Sequence, residues 1–308
     1  ADGRYVPLAV SGSESWVASE LGFQNIGPNY WKGEDGRLAL IGGQERFNNP
    51  QYVKVFEELA RWRDYLGEGG ESRDYATTNE LFTSGRAAFY AAGSWEIAPF
   101  TGKVDFGVMR PPVAKQGDGC FFTDHTDIGM GMNPASKNKE AAMTFLQWLT
   151  TPQFAELYTN SLPGFFSLSN HFFEATNPAA REMMEWRDQC DSTIRVATQI
   201  LSRGTPKLGD ELAEASQQVL LGTATPQAAA ERLEQGLKGW YAHHLGQQAK
   251  AVDCQCTAPA ASAASATAEV SATPVPSAAI STEVGASSAP VPAPAVIAPS
   301  SAVSTNVE

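Results

Sequence analysis

Two hydrophobic periods alternate along the first 250 residues. Short apolar runs, RYVPLAV and AAFYAAG, have the length and flanking residues of strands. The second lies between Gly85 and Gly93 and is expected to be buried on both faces. Elsewhere apolar residues recur at helical spacing. NNPQYVKVFEELARWRDYL predicts a helix with Asn49 as N-cap and Pro50 at its first position. WVASELGFQNI predicts another, with the Ser and Glu side chains of the preceding SGSES loop as caps. DYATTNELFTSG predicts a short helix leading into AAFYAAG, and VDFGVMRPP a strand halted by a double proline. DIGMGMNPASKNKEAAMTFLQWLTTPQFAELYTN predicts a strand, a turn and two helices. REMMEWRDQC, KLGDELAEASQQVLLG and TPQAAAERLEQGLKGWYAHHL predict further helices, the last opened by Thr225 and Pro226. Interleaved strands and helices of this kind describe an α/β protein.

The pattern stops near Val252. Residues 253–308 hold seven prolines and four acids, with no Lys, Arg or aromatic residue. Such a segment cannot bury enough apolar surface to offset the entropy of ordering, and a disordered, partly extended tail is expected.

Composition narrows the function classes. A net charge of −12, with no basic run, argues against nucleic acid as a partner. No apolar stretch approaches the roughly 20 residues of a membrane helix. Neither an initiator Met nor a signal-peptide pattern opens the chain, which reads as processed or as a fragment. Cys120 and Cys190 read as small buried residues, and Cys254 and Cys256 as a CxC pair too sparse in partners for zinc. No GxSxG, P-loop or GxGxxG motif is present, so neither catalysis nor a cofactor is expected.

Several segments, in order, resemble the later two-thirds of a bacterial extracellular solute-binding protein. The likeness is to the sugar-binding type, maltose-binding-protein-like, that serves ABC importers. The segments are YVPLAVSGSESW, LFTSGRAAFYAAGSWE, VDFGVMRPP, GMNPASKNKEAAMTFLQWLTTPQ, LPGFFSLS and the closing TPQAAAERLEQGLKGWY. The resemblance implies a periplasmic-binding-protein-like fold of two α/β lobes joined by a hinge, with the N-terminal lobe incomplete. Residues 1–112 would form the first part of the C-terminal lobe, and 113–168 the return segment of the N-terminal lobe and hinge. Residues 169–252 would supply C-terminal-lobe helices, and 253–308 the tail. With the first lobe's opening segments missing, an apolar face of the 120–168 region is expected to lie uncovered. The resemblance further implies a periplasmic or extracellular protein that delivers carbohydrate to permease subunits and meets the membrane only through them.

Sugar recognition needs flat aromatic faces for the C–H side of a pyranose and short polar side chains for its hydroxyls. Trp95 and Glu96, just past a Gly-Ser break, offer both, and the resemblance implies that Trp95 packs on sugar; a core Trp with a solvated Glu at a strand end is the alternative. Glu14 and Trp16 repeat the pairing in SGSESW, where capping and packing are the alternative. Tyr30 and Trp31 read as a packed loop. Asp124, His125 and Asp127 in FFTDHTDIG suit a hydroxyl-binding loop better than a metal, for want of a fourth ligand. Phe165, in LPGFFS, matches a region where members of the family often touch ligand from the hinge, with a core role as the alternative. The expected function is sugar binding in a cleft between lobes. The alternatives are a sensory or adhesive module on the same fold, and a glycan-acting enzyme using Glu96 and Asp124.

Overall fold

The computed structural model describes residues 5–124, 128–167 and 173–245, all within one compact unit spanning residues 1–256. The tail expected at 253–308, with Cys254 and Cys256, lies outside the described residues.

Strand β1 (Val6–Ala9) leads through the SGSES loop into a π-helix, Val17–Phe23, and short helical turns at Gln24–Ile26 and Pro28–Trp31. Two helices follow, α1 (Gly33–Ile41) and α2 (Pro50–Trp62). Pro50 opens α2 as expected, with Asn49 contributing its backbone carbonyl to Tyr52 and Val53 rather than its side chain. The chain continues through α3 (Tyr75–Thr83), β2 (Ala87–Tyr90), β3 (Phe121–Thr123), α4 (Lys139–Trp148) and α5 (Pro152–Ser161). It closes with α6 (Pro178–Gln189), β4 (Asp191–Thr193), α7 (Leu208–Leu220) and α8 (Pro226–Lys238). Thr225 caps α8, its hydroxyl accepting from the Ala228 amide at 3.2 Å.

Two small parallel sheets replace a single large one among the described residues: β1 beside β2, and β3 beside β4. The main core lies between the π-helix, α2, α7 and α8. Phe23 meets Phe56 at 4.4 Å between ring centroids, and Trp31 stacks on Tyr52 at 5.4 Å. Trp31 is therefore core, in keeping with a packed segment.

Three expectations need correcting. Strand β2 is not buried on both faces: β1 covers one edge, and Phe89 stays 57% exposed. No strand forms over residues 104–112 or 128–133 among the described residues. Strand geometry persists only where a neighbour takes the amides and carbonyls, and Pro111 and Pro112 have no N–H to give. The SGSES side chains do not cap the next helix; the Glu14 carboxylate accepts instead from the Tyr75 amide at 3.2 Å.

Every residue of α4 is at least partly exposed, Met143, Phe145 and Trp148 among them, and Ile128, Met130 and Leu157 are exposed elsewhere in the 120–168 region.

Distant segments are stitched by polar contacts. Asn29 exchanges two 2.9 Å hydrogen bonds with the Phe121 backbone, and Thr123 donates to the Gln24 carbonyl at 2.6 Å. Cys120 and Cys190 are not separate buried thiols but a disulfide, sited just before β3 and β4. At the C-terminal end, fully buried Glu234 faces His244 Nδ1 at 3.1 Å and accepts from the Phe47 amide at 3.2 Å. His244 Nε2 donates to the Leu40 carbonyl at 2.7 Å, tying the end of the described chain to α1.

Glu234 also lies 3.4 Å from the Arg46 guanidinium, so its carboxylate meets three partners. Glu234→Gln should lower unfolding free energy by about 1–3 kcal/mol, read from urea midpoints. Glu58→Gln, which breaks the exposed pair with Arg61, should cost less than about 1 kcal/mol. The disulfide closes a loop of 70 residues, for which chain entropy sets an effect of about 4 kcal/mol. The double variant Cys120→Ser/Cys190→Ser should melt earlier than wild type without reductant and alike with it.

Candidate functional site

Beyond β2 the chain breaks at Gly93 and enters a single 3-10 turn, Ser94–Glu96. A Cβ at Gly93 would sit 2.1 Å from the Trp95 ring, so only glycine lets the indole fold back over this bend. Ser94 donates to the Gly164 carbonyl at 2.6 Å, fixing the turn against the loop that carries Phe165. Gly164, at φ 101°, comes so close that a Cβ would lie 1.8 Å from the Ser94 carbonyl oxygen.

Trp95 is half-buried, and its indole Nε1–H donates to the Tyr75 hydroxyl at 2.9 Å. That hydroxyl in turn donates to the carboxylate of Glu96. Glu96 is only 4% exposed and also accepts from Asn79 Nδ2 at 3.3 Å. Burial first, and then the hydrogen bond to Glu96, push the Tyr75 phenol up to about 12.

A cavity of about 1320 Å³ opens beside this turn. Trp95, Glu96, Asp124 and Phe165 line it, together with Phe122, Trp186 and Arg187. Asp124 sits at the end of β3, its amide donating to the Thr193 carbonyl at 2.7 Å, while Arg187 from α6 pairs with its carboxylate at 2.6 Å. Phe165 is held by its amide on the Leu162 carbonyl at 2.9 Å and packs edge-on to Tyr158. Pro111 and Pro112 lie on the same wall.

Glu14 and Trp16 do not line the cavity. They hold Tyr75 from behind: Glu14 through its amide, Trp16 through ring packing at 5.0 Å. His125 and Asp127 lie outside the described residues. Among the described residues no group of three His, Cys, Asp or Glu side chains could hold a metal.

Sequence reasoning missed Tyr75, Arg187 and the disulfide. Tyr75 looked like an ordinary first residue of a helix, although its side chain joins Trp16, Trp95 and Glu96 and its amide donates to Glu14. Arg187 meets Asp124 across 63 positions, which no local pattern signals.

Residues 3–156 match the model of the family described as bacterial extracellular solute-binding protein. Among solved structures, a chitin oligosaccharide binding protein superposes with a TM-score of 0.63 at 21% identity, covering 75% of this chain and 59% of that one. A sugar transporter from Bacillus licheniformis in complex with stachyose gives a TM-score of 0.58 at 16% identity, covering 76% and 61%. A family 1 extracellular solute-binding protein from Bifidobacterium longum subsp. infantis gives 0.58 at 17% identity, covering 77% and 62%. The chain thus spans about three-fifths of the length of these structures, whose fold it shares. With half of its length matched by the family model, this chain belongs to the bacterial extracellular solute-binding proteins.

Proposed function

We propose that the chain is the substrate-binding component of an ABC-type importer, taking a sugar or oligosaccharide in the cavity beside Trp95. The observation that carries this reading is Trp95 itself, an aromatic ring at the cavity wall with its one polar atom already engaged by Tyr75. Such a ring suits the C–H face of a pyranose, and Phe165 supplies a second apolar surface. Asp124, with Arg187 beside it, supplies acceptors and donors for hydroxyls. Glu96 serves as a brace, because its carboxylate is turned to Tyr75 and Asn79. That arrangement also counts against the glycosidase reading, which needs Glu96 free to meet a substrate oxygen. The structural neighbours that bind chitin oligosaccharide and stachyose support carbohydrate as the ligand class. Permease subunits as partners, a periplasmic or extracellular location, and division into lobes at residues 112 and 168 belong to the same proposal.

The test is a melting screen of the full chain with chitotetraose, xylotetraose, stachyose and galactose, followed by calorimetric titration. A ligand of the native state raises the melting temperature. Trp95→Ala should then weaken the binding sugar by about 30- to 1,000-fold, the equivalent of about 2–4 kcal/mol, with a near-wild-type melt. A loss of about 3–5 kcal/mol of stability with unchanged affinity would make Trp95 a core residue and end this reading.

A further inference from the structure

We infer that Tyr75 is the positioning residue of the cavity, setting the orientation of Trp95 through a one-way chain of hydrogen bonds. The inference rests on the reading of Trp95 as the ligand platform, but its geometry stands apart from any ligand. A phenol has one proton and two lone pairs. Buried Glu96 is acceptor-only when ionised, so it draws the Tyr75 proton to itself. The lone pairs of Tyr75 Oη then face the other way, where Trp95 Nε1–H donates at 2.9 Å. An indole N–H is a donor only, and this one is spent inside the protein. What Trp95 offers the cavity is therefore carbon surface alone, the feature that selects a C–H face over a polar edge.

Tyr75 is itself fixed from three sides. Its amide donates to Glu14 Oε1 at 3.2 Å, the Trp16 ring packs on it at 5.0 Å, and the Tyr90 ring lies at 6.4 Å. Asn79, one helical turn further along α3, supports the far end of the chain at Glu96. Glu14 and Trp16 thus act on the cavity through Tyr75 and without touching it.

The test is Tyr75→Phe in the uniformly 15N-labelled full chain. This variant removes the hydroxyl and keeps the ring on which Trp16 packs. The Trp95 indole resonance is assigned by its disappearance in Trp95→Phe. In Tyr75→Phe, that resonance should move upfield and exchange with solvent about 3- to 10-fold faster, the range of one lost neutral hydrogen bond. An unchanged shift and exchange rate would overturn the inference. Should Tyr75→Phe fail to fold, wild type decides alone: a Trp95 N–H exchanging as fast as a free indole overturns it, and a protected one supports it. A double-mutant cycle with chitotetraose, xylotetraose and stachyose separates the two readings. If Trp95→Ala weakens binding of one of these, Tyr75→Phe should weaken it about 3- to 10-fold alone and not at all in the Trp95→Ala background. An effect that persists in that background gives Tyr75 its own contact and overturns the positioning role. If Trp95→Ala leaves affinity intact, the platform reading falls, and the indole resonance still decides whether Tyr75 orients Trp95.

Discussion

The hydroxyl of Tyr75 has a single proton, and it points that proton at the buried carboxylate of Glu96 as a hydrogen bond. The lone pairs of the oxygen are then left for a donor. Trp95 must donate to the oxygen left behind, so the indole turns its N–H inward and its carbon surface toward the cavity. Glu96 is stable at 4% exposure because its oxygens are met by a phenol and an amide. A carboxylate left without those donors would have to stay in water, and the turn that carries Trp95 would have to open with it.

The cavity is assembled from chain segments far apart in sequence, and each of its walls has its own fastening. The Trp95 turn is held to the Phe165 loop by Ser94 on Gly164. The Asp124 wall hangs on the short β3–β4 pair, secured by the disulfide on one side and by Asn29 and Thr123 on the other. Three-residue strands have little pairing of their own, which is why covalent and side-chain links surround them. The helical core of α2, α7 and α8 is more self-sufficient, being closed by apolar burial and by the Glu234–His244 contact.

What was legible in the sequence follows from how local each cause is. The helix at Pro50–Trp62 announces itself through a proline at its first position and an apolar stripe, both readable within one window. The Gly-Ser break before Trp95 was also local, and glycine does prove necessary there because the ring packs over Gly93. The strand expected at 104–112 failed because a strand depends on its neighbour, which no single segment encodes. Tyr75 went unnoticed because the residues that give it a role stand 20 and 21 positions onward, and Arg187 because Asp124 is 63 away. Glu14, Trp16 and Glu96 were recognised as special residue types, yet the first two reach the cavity only through a tyrosine that had no motif.

The distribution of charge within the cavity bears on what enters it. Arg187 is neutralised by Asp124 at 2.6 Å and Arg195 by Glu20 at 2.7 Å, while Arg110 lies on the disulfide with Nη1 3.2 Å from Cys190 Sγ. The Glu96 carboxylate points into protein. An anionic ligand would have to break a pair to reach Arg187 or Arg195, and half-buried pairs resist that more than exposed ones. A neutral polyol asks for less: hydrogen bonds to the outer atoms of an Asp–Arg pair that stays intact, and an aromatic surface for its C–H groups.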